Sequence, residues 1–349
     1  FFVFISKINN YFSCMKLLRK LLFFITPIYY LFSVFRNVLY DLSIYKSTKF
    51  EIPTIGIGNL AVGGTGKSPM VEYLISLLSD QYSIATLSKG YGRNTKSFLL
   101  ANEKSTHFDI GDEPLQFYNK YNNIVVSVDN NRVNGINNLL QIDNPPKVIL
   151  LDDSFQHRRL TLGLSILLTD YNNLYSNDYV LPFGDLREPA SSSKRADIVI
   201  VTKCPEILTE TTKIKIKNKL KLKLSQKIFF SSIEYSKFVI SNTKKIDFID
   251  FINHKFVLVT GLANPEQIVT YLVNNNCNFE HQQFKDHHDY ISKDLEKIDP
   301  LFNILTTEKD YAKLIKTFPK RNIYYLPISV NIDSDKLFDK LILDYCRVN

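Results

Sequence analysis

The sequence predicts an α/β protein: a doubly wound, mostly parallel sheet, followed by a second, smaller α/β domain and preceded by an N-terminal membrane-associating helical segment. Three observations carry this expectation. The glycine-rich stretch GNLAVGGTGKS, Gly58 to Ser68, follows the apolar run PTIGIG as a turn follows a buried strand. From Pro53 to about Lys203, apolar runs of strand length alternate with helical patterns. A second alternation begins near residue 235. The chain accordingly divides into residues 1–14, expected to be upstream sequence without a function; 15–48, the membrane-associating segment; 49–235, the domain carrying the glycine-rich loop; and 236–349, the smaller domain.

The chain begins with Phe, and Met15 directly precedes the basic-apolar segment, which is the basis for setting residues 1–14 aside. Residues 16–45 are the most apolar part. Lys16, Arg19 and Lys20 lead in, Arg36 follows and aromatic residues crowd the middle, the make-up of a segment lying in the headgroup region of an anionic leaflet. The stretch from Leu21 to Phe35 contains Pro27 and falls short of the ~20 residues of a spanning helix. No small-residue cleavage site follows, which argues against a signal peptide. The competing reading is a hydrophobic hairpin packed on the next domain.

Gly63, Gly64 and Gly66 permit backbone angles closed to other residues, so that amide groups converge on phosphate oxygens. The expected nucleotide contacts are Ala61, Val62, Gly63, Gly64, Thr65, Gly66, Lys67 and Ser68. Lys67 would neutralise the β- and γ-phosphates, Ser68 would offer its hydroxyl to Mg²⁺, and the helix starting there, with Met70, Val71, Leu74, Leu77 and Leu78 apolar, would aim its positive end at the nucleotide. The strict pattern G-x-x-x-x-G-K-[ST] has glycine where this chain has Ala61. With this loop the sheet reads as phosphate-loop NTPase-like, with ATP and Mg²⁺ as its cofactors.

The strands of the first domain are TIGIG, SIATLSKG, IVVSV, KVILLDD, LSILLTD and ADIVIVTK, with helices after Ser68, around Glu113 to Tyr121 and from Arg132. VILLDD ends on Asp152 and Asp153, carboxylates suited to the Mg²⁺ held by Ser68. Gln156, His157, Arg158 and Arg159 follow; His157 is either a substrate or phosphate contact or a loop histidine. SKGYGR, GDEP and LPFGDLREP are further polar clusters after strands, and Asp112 of GDEP suits a helix N-cap. KIKIKNKLKLKL, residues 213–224, reads as a solvated amphipathic face, and Ser231 to Lys255 as irregular. The second domain shows FVLVTGLANPEQIVTYLV, FEHQQF, NILTTEKDYAKLI and NIYYLPISV, plus FKDHHDY, whose adjacent His287 and His288 point to different sides and suit no common metal.

With 349 residues, 45% of them hydrophobic, the chain suffices for two cored domains. Cys14, Cys204, Cys277 and Cys346 lack C-x-x-C spacing, which argues against a zinc site or disulfide framework and for structural thiols. A formal charge of +8 suits an anionic membrane, a phosphorylated substrate or nucleic acid. Nothing in the sequence fixes an oligomeric state.

GNLAVGGTGKSP, SKGYGR, GDEP, DDSFQHRRL, LPFGDLREP, RADIVIVTK, TGLANPE, DHHDY and TEKD, in this order, closely resemble the tetraacyldisaccharide 4′-kinases, the lipid A 4′-kinase family of Gram-negative bacteria, from about residue 16 to the C-terminus. Ser154 stands where the family usually has glycine, and Lys89 where many members have arginine. The resemblance implies transfer of the ATP γ-phosphate to the 4′-hydroxyl of a tetraacyldisaccharide 1-phosphate, giving lipid IVA, by a peripheral or monotopic protein at the cytoplasmic face of the inner membrane. By similarity, the base would be Asp112 assisted by His287 from the second domain, with closure on binding, and Lys67 as the third catalytic residue. Tyr91, His157, Arg187 and Glu188 would contact substrate. The partners expected are a lipid A disaccharide precursor and an anionic membrane surface, and no nucleic acid. The rival is a membrane-associated nucleotide-dependent switch or chaperone ATPase or GTPase, which shares the loop and the paired aspartates; a nucleic-acid-binding ATPase is supported by charge alone.

Overall fold

The computed structural model of the protein describes residues 22–296, 298–334 and 336–348. The expectations for residues 1–14, for Cys14 and for Lys16, Arg19 and Lys20 lie outside the described residues. In chain order the elements are α1 (Thr26–Asp41), β1 (Thr48–Lys49), β2 (Thr54–Asn59), α2 (Lys67–Leu78), β3 (Ile84–Ser88), β4 (Leu99–Leu100), α3 (His107–Ile110) and α4 (Asp112–Lys120). There follow β5 (Ile124–Val128), α5 (Arg132–Leu139), β6 (Val148–Asp152), β7 (Leu160–Thr161), β8 (Leu164–Asp170), β9 (Ile198–Thr202) and α6 (Glu210–Leu220). The remainder comprises β10 (Lys227–Tyr235), β11 (Phe238–Ile240), β12 (Lys245–Asp247), α7 (Phe248–Ile252), β13 (Phe256–Thr260), α8 (Glu266–Asn274) and β14 (Phe279–Gln283). It ends with β15 (Asn303–Thr306), α9 (Glu308–Thr317), β16 (Ile323–Tyr325), β17 (Ile328–Ile332) and α10 (Leu337–Val348).

The chain forms two compact units, each assembled from separate segments. The first holds the chain through Lys67, Lys147–Ser232 and the chain from Ile332; the second holds Ser68–Pro146 and Ile233–Asn331. In the first unit β10, β9, β8, β2 and β6 lie side by side, and every pairing is parallel. β2, β6 and β9 are buried throughout, as strands covered on both faces must be. Their C-terminal ends bring Asn59, Asp152, Asp170 and Thr202 to one edge, where open parallel sheets hold their ligands. α10 packs Phe338 against Phe229 and sets the Tyr345 hydroxyl 3.3 Å from the Thr54 amide.

Pro27 opens α1 at its first turn instead of interrupting it, because the amide it lacks has no partner there in any helix. The preceding 3-10 turn, Leu22–Ile25, extends α1 to a stretch long and apolar enough to span a membrane by length and composition alone. α1 is no hairpin, and its amphipathicity is inverted. Thr26, Ser33 and Asn37 are its buried residues, while Phe24, Ile28, Leu31, Phe32 and Phe35 stand exposed. Of the lysine-rich stretch, α6 takes the part up to Leu220 and buries only Ile216 and Leu220.

In the second unit β3 and β5 pair in parallel with β4 antiparallel along β5, and a second sheet runs β12-β11-β16-β15-β13-β14. β14, β13, β15 and β16 are parallel. The region read as irregular holds the end of β10, the β11–β12 pair and α7, elements too short to show a period. α4 and α9 run antiparallel and are tied twice: Lys120 meets Glu72 at 2.8 Å and Glu308 at 2.9 Å, and Lys313 meets Asp112 at 2.8 Å. Burial pushes the thiols of Cys204, Cys277 and Cys346 up to about 11, which keeps them protonated.

Gly111 caps α4 at φ 91° and ψ 166°, a region only glycine occupies without strain, and a Cβ there would sit 2.9 Å from the Gly90 Cα and 3.0 Å from the Tyr91 carbonyl. The SKGYGR turn thus rests backbone to backbone on the start of α4. Gly111→Ala is expected to lower the melting temperature by at least about 4 °C, since a strained φ and a backbone clash together cost about 2 kcal/mol or more. A variant that melts with the wild type would show that the two backbones separate freely.

Candidate active site

The first unit builds its site from strand ends. Asn59, the last residue of β2, has no exposed surface and must find hydrogen bonds inside. Its Nδ2 donates to the Thr65 hydroxyl at 2.7 Å, and its Oδ1 accepts from Lys67 Nζ at 3.4 Å and from Arg187 Nη2. Arg187 in turn grips Asp153 in a bidentate pair, at 3.0 and 2.9 Å, and Lys67 Nζ lies 3.7 Å from the same carboxylate. Asp153 holds φ 48°, a left-handed angle that a non-glycine residue keeps only where its surroundings fix it. Asp152 is buried at the end of β6 beside it.

The loop explains its own departure from the strict pattern. Ala61 bridges antiparallel to Leu186, with the Val62 amide on the Asp185 carbonyl at 2.8 Å and the Arg187 amide on the Leu60 carbonyl at 2.7 Å. Extended backbone of this kind accepts a Cβ. Gly63 and Gly66, at φ 103° and 85°, do require glycine. Lys67 opens α2, where helix N-termini favour anions. Ser68 is its second residue.

Two expected substrate contacts sit differently from each other. Arg187 is partly exposed on the loop face, whereas Glu188 is 1% exposed and takes hydrogen bonds from Asn37 Nδ2 at 3.0 Å and Arg195 Nη1 at 2.9 Å. Tyr29 of α1 donates its hydroxyl to the Arg187 carbonyl at 2.8 Å, and Arg36 donates to the Gln156 carbonyl at 2.9 Å. The polar side of α1 is therefore spent on the loops after β6 and before β9. His157 lies half-buried in the turn after β6, its amide on the Ser154 carbonyl.

The second unit carries a distinct cluster. Asp112 is the first residue of α4, one place past the N-cap expected for it, where the helix dipole favours a carboxylate. Its Oδ2 accepts from His287 Nδ1 and from Lys313 Nζ, each at 2.8 Å, and both donors fall on that one oxygen. Burial raises the Asp112 carboxyl, but the hydrogen bonds from His287 and Lys313 prevail and hold it below the ordinary carboxylate value. The bond to Asp112 raises the His287 imidazole against the opposing effects of burial and Lys309. Lys309 Nζ lies 3.1 Å from His287 Nε2, and an ammonium has only donors, so the neutral ring accepts at Nε2 and carries its proton on Nδ1. His287 sits at φ 57° after β14, and Lys309 and Lys313 lie on α9 after β15. Tyr91, exposed, tilts its ring over His287 at 5.2 Å. His288 turns away to Asp294 at 2.9 Å, so the two histidines do not converge.

Asn59, Thr202, Lys203, Lys309 and Lys313 were not singled out from sequence. Asn59 has a weak signal, a polar residue closing an otherwise apolar strand; the lysines have none beyond their place after strands.

The family model described as LpxK, Tetraacyldisaccharide-1-P 4′-kinase, matches residues 18–347. A tetraacyldisaccharide 4′-kinase of Flavobacterium johnsoniae is 47% identical over 96% of this chain and 99% of its own length. One from Bacteroides fragilis is 41% identical over 90% of this chain and 89% of its own. Among solved structures, the "apo" form of LpxK from Aquifex aeolicus in complex with ATP is similar with a TM-score of 0.76 and 30% identity, covering 94% of this chain and 99% of that one. Loop, paired aspartates and sheet order thus sit in a full-length match, and this chain belongs to the tetraacyldisaccharide-1-P 4′-kinase family.

Proposed function

We propose that this chain transfers the γ-phosphate of ATP to the 4′-hydroxyl of a tetraacyldisaccharide 1-phosphate, giving lipid IVA, at the cytoplasmic face of the bacterial inner membrane. The observation that favours a kinase over a nucleotide-dependent switch is the Asp112–His287 pair at 2.8 Å, since a switch needs no group to receive an alcohol proton. Lys67 binds the β- and γ-phosphates. Asp112 orients the 4′-hydroxyl through Oδ1, the oxygen carrying neither His287 nor Lys313, and takes its proton as the sugar oxygen bonds to the γ-phosphorus and ADP leaves with the bridging oxygen. His287 fixes the carboxylate's direction, and Tyr91 offers a ring beside it.

Asp152, Asp153 and the Ser68 hydroxyl suit Mg²⁺, which takes one or two carboxylates besides phosphate oxygens and water. Bound there, Mg²⁺ would spread charge over the phosphates. Arg187 orients Asp153, and His157 is left to the substrate side. Glu188, enclosed by Asn37 and Arg195, acts by holding the Arg187 loop. The inverted α1 supports membrane association: its polar side is taken by protein, and its apolar side is left for acyl chains.

The direct test is incubation with γ-labelled ATP and the disaccharide precursor in detergent. Label is expected on the lipid; release of inorganic phosphate with unlabelled lipid would assign the chain to the switch class. Folded Lys67→Ala should lose turnover by about two orders of magnitude or more.

The dyad predicts coupling and a direction in pH. Asp112→Ala and His287→Ala should each cut turnover, and the double variant should be little worse than the worse single one. His287 lowers the Asp112 carboxyl, so His287→Ala should raise it and move the acid limb of turnover to higher pH. Multiplicative losses with an unmoved acid limb would show independent residues.

For α1, Phe32→Asp with Phe35→Asp should release the protein from sedimenting anionic vesicles while leaving ATP binding intact. Unchanged sedimentation would place membrane contact elsewhere.

A further inference from the structure

The end of β9 makes two contacts to the glycine loop that the reaction above leaves unused. Lys203, directly after β9, donates Nζ to the Gly64 carbonyl at 2.6 Å and pairs with the Asp170 carboxylate at the end of β8 at 2.8 Å. Thr202, buried, donates its hydroxyl to the Thr65 carbonyl at 2.9 Å and lies 3.2 Å from the Thr169 carbonyl. Two consecutive loop carbonyls are thus held by two consecutive residues of one strand end. Packing does little else for this loop: a Cβ on Gly63 or Gly64 would meet nothing within 4 Å, and one on Gly66 would first meet Thr202 at 3.8 Å. Lys203 itself holds φ 58°, a left-handed angle that costs a non-glycine residue roughly 1–2 kcal/mol.

In a planar trans peptide the N–H points opposite to the C=O. Anchoring the Gly64 carbonyl turns the Thr65 amide the other way, where it closes a tight turn on the Gly63 carbonyl at 3.2 Å. Anchoring the Thr65 carbonyl on Thr202 turns the Gly66 amide away from the sheet edge. The loop glycines supply freedom that binding of a polyphosphate must remove, at a cost in affinity unless the peptides are already oriented.

We propose that Lys203, held by Asp170, and Thr202 are positioning residues that preset the glycine loop for the ATP phosphates, with Lys203 acting on the loop's carbonyls and not on the nucleotide. The inference rests on reading this loop as the ATP site. Asp170 is essential to it, because a lysine beside a phosphate site would otherwise be drawn to the phosphates. Thr202 sets the second peptide and should be replaceable by serine, which keeps the hydroxyl, but not by valine.

The test is calorimetric titration of the full-length protein with Mg-ATP in the absence of lipid, together with KM for ATP and for the disaccharide and the inhibition constant of adenosine, which has no phosphates. Wild-type protein that fails to bind ATP would sink the site itself; the remaining outcomes concern the clamp. Lys203→Met is expected to weaken ATP binding about tenfold or more, with disaccharide KM and adenosine inhibition within about twofold of wild type. Asp170→Asn should weaken ATP binding in the same direction, and Thr202→Val should do so where Thr202→Ser does not. Asp170→Asn protein that binds ATP as tightly as wild type, or tighter, while Lys203→Met loses affinity would overturn the clamp and put Lys203 on the nucleotide. Equal affinity in all variants, or adenosine and disaccharide constants that rise together with the ATP dissociation constant, would overturn it as well. Should Lys203→Met fail to fold, Asp170→Asn and the Thr202 pair decide the question alone.

Discussion

A single buried amide organises the nucleotide end of the first unit. Asn59 has no exposed surface, and a buried side-chain amide left without partners would cost about 1–3 kcal/mol per group, so every neighbour is arranged to serve it. Its nitrogen takes the Thr65 hydroxyl, which fixes the loop, and its oxygen takes Lys67 and Arg187, which fixes two cations. Arg187 passes the constraint on: its guanidinium sets the direction of Asp153, and its carbonyl receives Tyr29 from α1. One polar residue at the end of an apolar strand thereby connects the phosphate loop, a candidate metal carboxylate and the apolar helix.

That connection explains the orientation of α1. A helix on a water-soluble body normally buries its apolar stripe. Here Asn37 is tied to Glu188, Arg36 to the Gln156 carbonyl and Tyr29 to the Arg187 carbonyl, and rotating the helix to bury Ile28, Leu31, Phe32 and Phe35 would break all three. Arg158 adds to the hold, with Asp41 at 2.7 Å and its guanidinium 5.1 Å from the centre of the Tyr40 ring. The exposed apolar side is thus a consequence of polar fastening on the other, a stronger argument for an apolar surrounding than hydropathy alone.

The core of the first sheet was legible because its signals are local. A buried parallel strand is a short apolar run, and TIGIG, VILLDD, LSILLTD and IVIVT announce β2, β6, β8 and β9 within a residue or two. The glycine loop and the paired aspartates were legible for the same reason. What escaped was made by topology. Thr202 and Lys203 lie far from Thr65 and Gly64 in sequence and reach them only because β9 is two places from β2 in the sheet. Lys309 and Lys313 gain meaning only when α9 lies antiparallel to α4, which no spacing in TEKD reveals. Pro27 and Ala61 misled in opposite ways: the first suits the start of a helix, and the second sits in extended pairing where the usual glycine is unnecessary.

The second cluster resolves an apparent conflict in its own chemistry. In the role proposed for Asp112 a general base is stronger the higher its pKa, yet His287 and Lys313 hold this carboxyl below the ordinary value, which would weaken it. Phosphoryl transfer makes the weaker base tolerable, since in most analyses its transition state is loose and little proton transfer is needed before the new bond forms. The demand is then for orientation: an ionised carboxylate, dry enough to grip a hydroxyl and fixed in direction. Oδ2 is occupied by two cationic or imidazole donors, α4 begins at Asp112 and directs its dipole there, and Gly111 and His287 carry the left-handed backbone angles that bring the pair to 2.8 Å. Positive backbone angles on either side of one contact, free for Gly111 and strained at His287, and charge on one oxygen serve the same end, so in the proposed reaction the hydroxyl would meet a carboxylate with a single open oxygen.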